Sequence, residues 1–192
     1  MKYSLTKEQL KVCSSDKQCI IVRGDRRAGK SYAGYFLCLK ILGSEENKHA
    51  IFIAPTCRQA INIIIDFEIL LGHNPEYIYR VDKIHRRIEL TNGSRITILT
   101  PSDIIDYEFR GILKPDIIVI DDLEVYSKRE SKHLFHIIKE NYFLRTWDCR
   151  FYISYYPWYP NENEDKCEAL FRLAGNNKRW DRITMNRRDF SK

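Results

Sequence analysis

No run of apolar residues in this 192-residue chain approaches the roughly 18 that a membrane-spanning helix needs. The longest candidate, Ile61 to Leu71, is broken by Asn62, Asp66 and Glu68. The opening Met1-Lys2-Tyr3-Ser4-Leu5 lacks the apolar stretch of a secretion signal, so a cytoplasmic protein without a membrane partner is expected. Paired cysteine spacing is missing too. The six cysteines, Cys13, Cys19, Cys38, Cys57, Cys149 and Cys167, form neither a C-x-x-C nor a Cys/His zinc pattern. Reduced, mostly buried thiols are the expectation. Internal repeats, low-complexity tracts and an obvious linker are absent as well, which predicts a single domain over residues 1–192.

What is present is ordinary for a folded protein: 44% hydrophobic and 30% charged residues exclude a disordered chain. A formal net charge of +6 is compatible with a polyanionic partner and does not require one.

Thr6 to Val12 reads as a short helix with Leu5, Gln9 and Leu10 near one side. Cys19 to Val22 is an apolar run closed by Gly24, the pattern of a buried strand. Ser31 to Leu42 has helical spacing, with Tyr35, Phe36, Leu39 and Leu42 facing a core and Gly43 as its stop. A strand at Ala50 to Ala54 and a helix at Arg58 to Leu71 follow. Lys83 to Leu90 and Arg95 to Leu99 flank Thr91-Asn92-Gly93-Ser94, a hairpin signal. Asp116 to Ile120 and Arg150 to Ser154 read as strands, Lys132 to Tyr142 and Glu164 to Leu173 as helices, the last ended by Gly175. This alternation predicts an α/β domain with a largely parallel sheet.

Between the first strand and the helix at Ser31 lies Gly24-Asp25-Arg26-Arg27-Ala28-Gly29-Lys30-Ser31, which fits G-x-x-x-x-G-K-[ST] in full. Glycines let the backbone turn its N–H groups onto phosphate oxygens, and the helix presents its positive end there. Lys30 would bridge the outer phosphates and the Ser31 hydroxyl would ligate Mg²⁺. Arg26 would reach the γ-phosphate, with pairing to a surface carboxylate as its alternative; Arg27 is the weaker candidate for the same role.

Ile117-Ile118-Val119-Ile120-Asp121-Asp122-Leu123-Glu124 supplies the acids. A buried strand ending in carboxylates places them at the sheet edge where ligands bind in α/β folds. Asp121 is read as a Mg²⁺ ligand, directly or through water. Asp122, or Glu124 two residues on, would activate the attacking water. The same acids could instead cap a helix that follows the strand.

Three further segments complete an ordered set. Ile51-Phe52-Ile53-Ala54-Pro55-Thr56-Cys57-Arg58-Gln59-Ala60 resembles the segment after the second strand in helicases and viral DNA-packaging ATPases. The hairpin, then Arg110-Gly111, then Pro115 to Asp122, together with Arg26 three residues before Gly29-Lys30, resembles the large subunit of phage-type terminases. That likeness runs from about Leu5 to Trp180 by eye. It implies a P-loop NTPase of the RecA-like, ASCE type: a three-layer fold with a largely parallel central sheet and an added β-hairpin. ATP and Mg²⁺ are the implied cofactors. The implied activity is ATP hydrolysis coupled to translocation of double-stranded DNA by a homo-oligomeric ring. A portal protein, a small terminase subunit and a separate nuclease are the further partners it suggests.

Residue by residue, the likeness places Gly24, Asp25, Arg26, Arg27, Ala28, Gly29, Lys30 and Ser31 around the nucleotide. Gln9 would read the adenine edge or be an ordinary exposed helix residue. Arg110 would act as an arginine finger on a neighbouring subunit's nucleotide. Ser154, in Ile153-Ser154-Tyr155-Tyr156-Pro157, would sense the γ-phosphate and pass its loss to the DNA-gripping surface, although two tyrosines depart from the family's usual spelling there. The family's metal-dependent nuclease domain has no counterpart in these residues. Two other readings stay open: a helicase-like NTPase of replication or repair needing a second lobe, and a nucleotide-dependent DNA-binding switch that does not hydrolyse.

Candidate phosphate contacts to DNA are Lys83, Arg86 and Arg87 on the hairpin and Arg179, Arg182, Arg187 and Arg188 near the end, with solvated surface charge as the alternative. Tyr152, Tyr155, Tyr156, Trp158 and Tyr159 are expected in a core or interface rather than stacked on a ligand.

Overall fold

A computed structural model describes residues 4–72, 74, 76–106, 115–127, 129–130, 132–136, 149–157 and 164–186. Thr6 opens the first helix, α1 (Lys7–Ser14), through a capping box: its hydroxyl accepts from Gln9 N–H at 3.0 Å while Gln9 Oε1 accepts from Thr6 N–H at 2.9 Å. Gln9 and Val12 face inward, and Leu10 is 52% exposed.

In chain order there follow β1 (Cys19–Gly24), α2 (Lys30–Ser44), β2 (His49–Ile53) and α3 (Cys57–Leu70), whose N-cap is Thr56. Next come β3 (Ile78–Asp82), β4 (Arg87–Leu90), β5 (Arg95–Leu99) and the short α4 (Pro101–Asp106). Then β6 (Ile117–Ile120) runs into a 3₁₀ turn at Leu123–Val125; β7 (Arg150–Tyr155), α5 (Glu164–Ala174) and β8 (Trp180–Met185) close the described chain. Residues 132–136 are helical, and the rest of the helix expected over Lys132 to Tyr142 lies outside the described residues.

The strands form one eight-stranded sheet in the order β3-β4-β5-β2-β6-β7-β1-β8. From β5 to β8 every pairing is parallel; β3-β4 and β4-β5 are antiparallel. Alternate residues feed two cores. Ile20, Val22, Phe52, Val119 and Tyr152 pack on the side of α1, α2 and α3. Ile21, Ile51, Ile118, Ile120, Ile153 and Tyr155 pack on the side of α5. Period-two alternation on strands buried on both faces thus gives the expected three-layer α/β arrangement.

Two expectations need correction. Gly43 does not end α2, which continues through Ser44, where the Ser44 hydroxyl donates back to Ile41 C=O at 2.8 Å. Lys83 to Leu90 is not one strand: residues 83–86 turn, with Arg86 at φ 52°, and β4 begins only at Arg87. The expected hairpin is present as β4-β5, and β3 adds a third antiparallel strand to it. Edge strands β3 and β8 were not anticipated, because Ile78-Tyr79-Arg80-Val81-Asp82 and Trp180-Asp181-Arg182-Ile183 mix polar residues into the apolar pattern.

Candidate nucleotide site

Residues 24–31 turn from the C-terminal end of β1 into α2. Gly29 is the N-cap at φ 84°, a backbone conformation that favours glycine, and a β-carbon there would come within 2.6 Å of Gln9 Nε2. No side chain caps α2, and its first turn carries no acid, so the helix's positive end faces the loop uncompensated. Lys30 is buried within it, its ammonium donating to Gly24 C=O at 3.2 Å and Asp25 C=O at 3.1 Å. Two contacts hold this turn from outside. Gln9 Nε2 donates to Gly29 C=O at 3.1 Å, and the buried Tyr152 hydroxyl on β7 donates to Lys30 C=O at 2.5 Å. Gly34 lets α2 lie close to the sheet: a β-carbon there would meet Tyr152 Cε1 at 2.9 Å.

The acids arrive from β6. Ser154, buried on β7, donates its hydroxyl to Asp121 Oδ1, while Asp122 N–H donates to Ser154 Oγ at 3.3 Å. Asp122 sits at φ 49°, ψ 54°, a left-handed turn that Asp tolerates better than most residues. Burial, and then the neighbouring Asp121 charge, push its carboxyl up to about 6, against the opposing pull of Lys30 and Arg26. Glu124 is buried on the 3₁₀ turn; desolvation, then Asp122, raise it to about 7, opposed in part by backbone N–H bonds that include that of Tyr156. The helix that the alternative reading would have these acids cap is, among the described residues, only this short turn.

A cleft of about 480 Å³ joins these pieces. Arg26, Arg27, Ala28, Gly29, Lys30 and Ser31 line one side, and Asp122, Glu124, Val125 and Tyr156 the other. Loop donors and ionisable acids therefore face one space, an arrangement able to take a polyphosphate and a water side by side. Ser31 and Asp121 offer hard oxygen donors, which suit Mg²⁺; among the described residues no cluster of three His, Cys, Asp or Glu side chains is arranged to hold a metal alone. Mg²⁺ does not need one, since substrate phosphates and water complete its shell.

Sequence reading did not find Tyr32, Tyr35 and Asp66, which line the same cleft. Helical spacing from Ser31 gives a signal for Tyr35, four residues on and one turn away. Asp66 belongs to α3 and reaches the cleft only through tertiary packing. Arg110 lies outside the described residues, as do Arg187, Arg188, Trp158 and Tyr159. Of the candidate DNA contacts, Lys83 is paired with Glu68 at 3.1 Å and Arg86 with Asp103 at 2.8 Å, while Arg182 lies over the Phe171 ring at 5.5 Å. Tyr152 and Tyr155 are core residues, as expected.

The family described as DEAD/DEAH box helicase matches residues 5–147, most of the chain, which therefore belongs to that family. No curated protein matches the sequence. Among solved structures, the large terminase ATPase domain of Thermus phage P74-26 is 15% identical, with 95% of this chain and 81% of that one covered at a TM-score of 0.69. The N-terminal domain of the DNA packaging ATPase of bacteriophage phi29 is 17% identical over 95% of this chain and 97% of its own, at 0.62. A large terminase of a thermophilic bacteriophage, in complex with ADP, is 17% identical at 0.63; 94% of this chain aligns, spanning 45% of that one. At these identities the likeness establishes the fold alone, a P-loop NTPase fold shared with these packaging ATPase domains.

Proposed function

We propose that this member of the DEAD/DEAH box helicase family is a single-domain, Mg²⁺-dependent ATPase whose turnover moves double-stranded DNA, as the motor of a terminase-like packaging machine. The observation that carries the proposal is the convergence of Lys30 and Ser31 with Asp122 and Glu124 on one cleft, with Asp121 fixed behind them by Ser154. The loop N–H groups and Lys30 bind the β- and γ-phosphates, and Arg26 and Arg27 add charge at the rim. Ser31 and Asp121 would hold the cation, which would supply Lewis-acid polarisation of the γ-phosphoryl group. Asp122 orients the attacking water and takes its proton, with Glu124 the competing base. Both acids are held above the ordinary carboxylate range, so proton uptake near neutral pH is within their reach. Gln9, already bonded to the loop, transmits adenine contact to Gly29. Ser154 registers loss of the γ-phosphate through its bond to Asp121.

Packaging rather than another use is supported by the terminase-type fold across nearly the whole chain. Under it, the active form is a homo-oligomeric ring in which Arg110 reaches the neighbouring nucleotide. The family match itself favours a second reading, a helicase-like NTPase that works with a partner lobe. Hydrolysis stimulated by double-stranded DNA, with net movement along intact duplex, supports packaging; stimulation only by single strands, with strand separation, supports the second.

A further inference from the structure

Tyr35 lines the cleft from within a packed aromatic cluster. Its ring packs against Phe67 at 5.0 Å and Phe52 at 5.6 Å between centroids, and the side chain is 3% exposed. The hydroxyl donates to Asp66 Oδ2 at 3.2 Å. Asp121 and Asp66 both act on it electrostatically, Asp121 more strongly. Asp66 in turn feels Asp121, although burial is the main cause of its raised carboxyl. Among the described residues Tyr35 is the hydrogen-bond partner of Asp66, leaving Oδ1 without a protein donor. Asp66 on α3 thus lines the same cleft as Ser31, while Asp121 stands at the end of β6.

Three carboxylates, Asp66, Asp122 and Glu124, line the cleft with Lys30, Arg26 and Arg27, and the charge of Asp121 acts on both Asp66 and Asp122 from behind it. Mutual repulsion of that kind is relieved by a cation between the groups. Mg²⁺ demands octahedral geometry and keeps several waters, so a carboxylate with one open oxygen accepts from a cation-bound water without entering the inner shell.

We propose that Asp66, oriented by the Tyr35 hydroxyl, is a positioning residue for the hydrated cation, which it would hold by accepting a hydrogen bond from a cation-bound water. The assignment rests on the nucleotide-site reading above and adds α3 to it. Tyr35 holds one oxygen of the carboxylate and leaves the other able to accept, the role outer-shell partners of metal ligands commonly play.

The test is Mn²⁺ binding to the protein in the presence of ADP, followed by the paramagnetic resonance signal of free Mn²⁺, beside ADP affinity measured in chelator. The variants are Asp66→Asn, Tyr35→Phe and Asp121→Asn, each checked by its melting curve. Asp66→Asn is expected to weaken Mn²⁺ binding about 10-fold, and Tyr35→Phe by a smaller factor in the same direction, with ADP affinity in chelator unchanged. The phenylalanine variant keeps the aromatic packing, so it reports on the hydroxyl even where the asparagine variant folds poorly. Undiminished Mn²⁺ binding in both, while Asp121→Asn loses it, overturns the role of Asp66 and leaves the nucleotide site standing. Equal loss of ADP affinity in chelator also overturns it, because the defect is then general to the cleft. Absence of Mn²⁺ binding in the wild type overturns the nucleotide-site reading, and this assignment with it.

Discussion

Ser154 on β7 donates its hydroxyl to Asp121 at the end of β6, and the same oxygen accepts the N–H of Asp122. One buried side chain thus fixes both the carboxylate read as the cation ligand and the backbone of the residue read as the base. It also ties them to the strand whose next residue, Tyr155, bonds Glu168 on α5 at 2.9 Å.

Ser154→Ala should leave ATP binding nearly intact and lower turnover by about 10- to 100-fold, in the range seen when outer-shell partners are removed. Any stimulation by DNA should shrink in parallel. Steady-state kinetics with and without duplex DNA checks both.

Asp122→Asn should abolish turnover and, without nucleotide, stabilise the protein. A carboxyl raised from about 4 to about 6 binds its proton more tightly in the folded than in the unfolded state. Its penalty is therefore absent below pH ~4, grows as the pH rises to about 6, and is constant above. Melting temperature at pH 8 should rise by roughly 2–6 °C in the variant, and the gain should vanish near pH 4. Thermal melts across that range measure it.

His49 supplies the opposite slope. Burial, then the charges of Arg95 and Arg87, lower its pKa to about 4, so it is neutral in the fold and bonds Thr97 through Nε2 at 3.0 Å. Unfolded, it takes a proton near 6.5, so stability is full above that pH and falls as the pH drops toward 4. His49→Gln should flatten this acid-side loss in the same melts.

Gly34→Ala pits helix propensity against packing. Alanine gains about 1 kcal/mol in a helix interior, but its methyl group meets Tyr152 Cε1 at 2.9 Å. Tyr152 is fully buried and tied to Lys30 C=O, so it has little room to move. Overpacking at about 1–3 kcal/mol should prevail, lowering the melting temperature by a few degrees and weakening nucleotide binding by displacing α2.

The parts legible in the sequence are those governed by local pattern. Gly24 to Ser31 spells its own turn, and Ile117 to Ile120 announces a strand with acids at its end. Thr6-Lys7-Glu8-Gln9 also spelled a capping box, which would have given Gln9 a structural task besides any contact with a base. Asp66 had no such signal. It looks like a polar interruption in an apolar helix until α3 is packed on the sheet beside α2. β8 escaped notice for a related reason: its role comes from pairing with β1, where Gly24 approaches Met185, not from its own composition.

The central claim is tested most directly by steady-state ATP hydrolysis, with and without double-stranded DNA, for the wild type beside Lys30→Ala and Asp122→Asn. Mg²⁺-dependent turnover that DNA stimulates, and that falls at least about 100-fold in both variants, is the predicted result. Turnover unchanged by either substitution, or ATP binding without turnover in any assembly state and with DNA present, would contradict it.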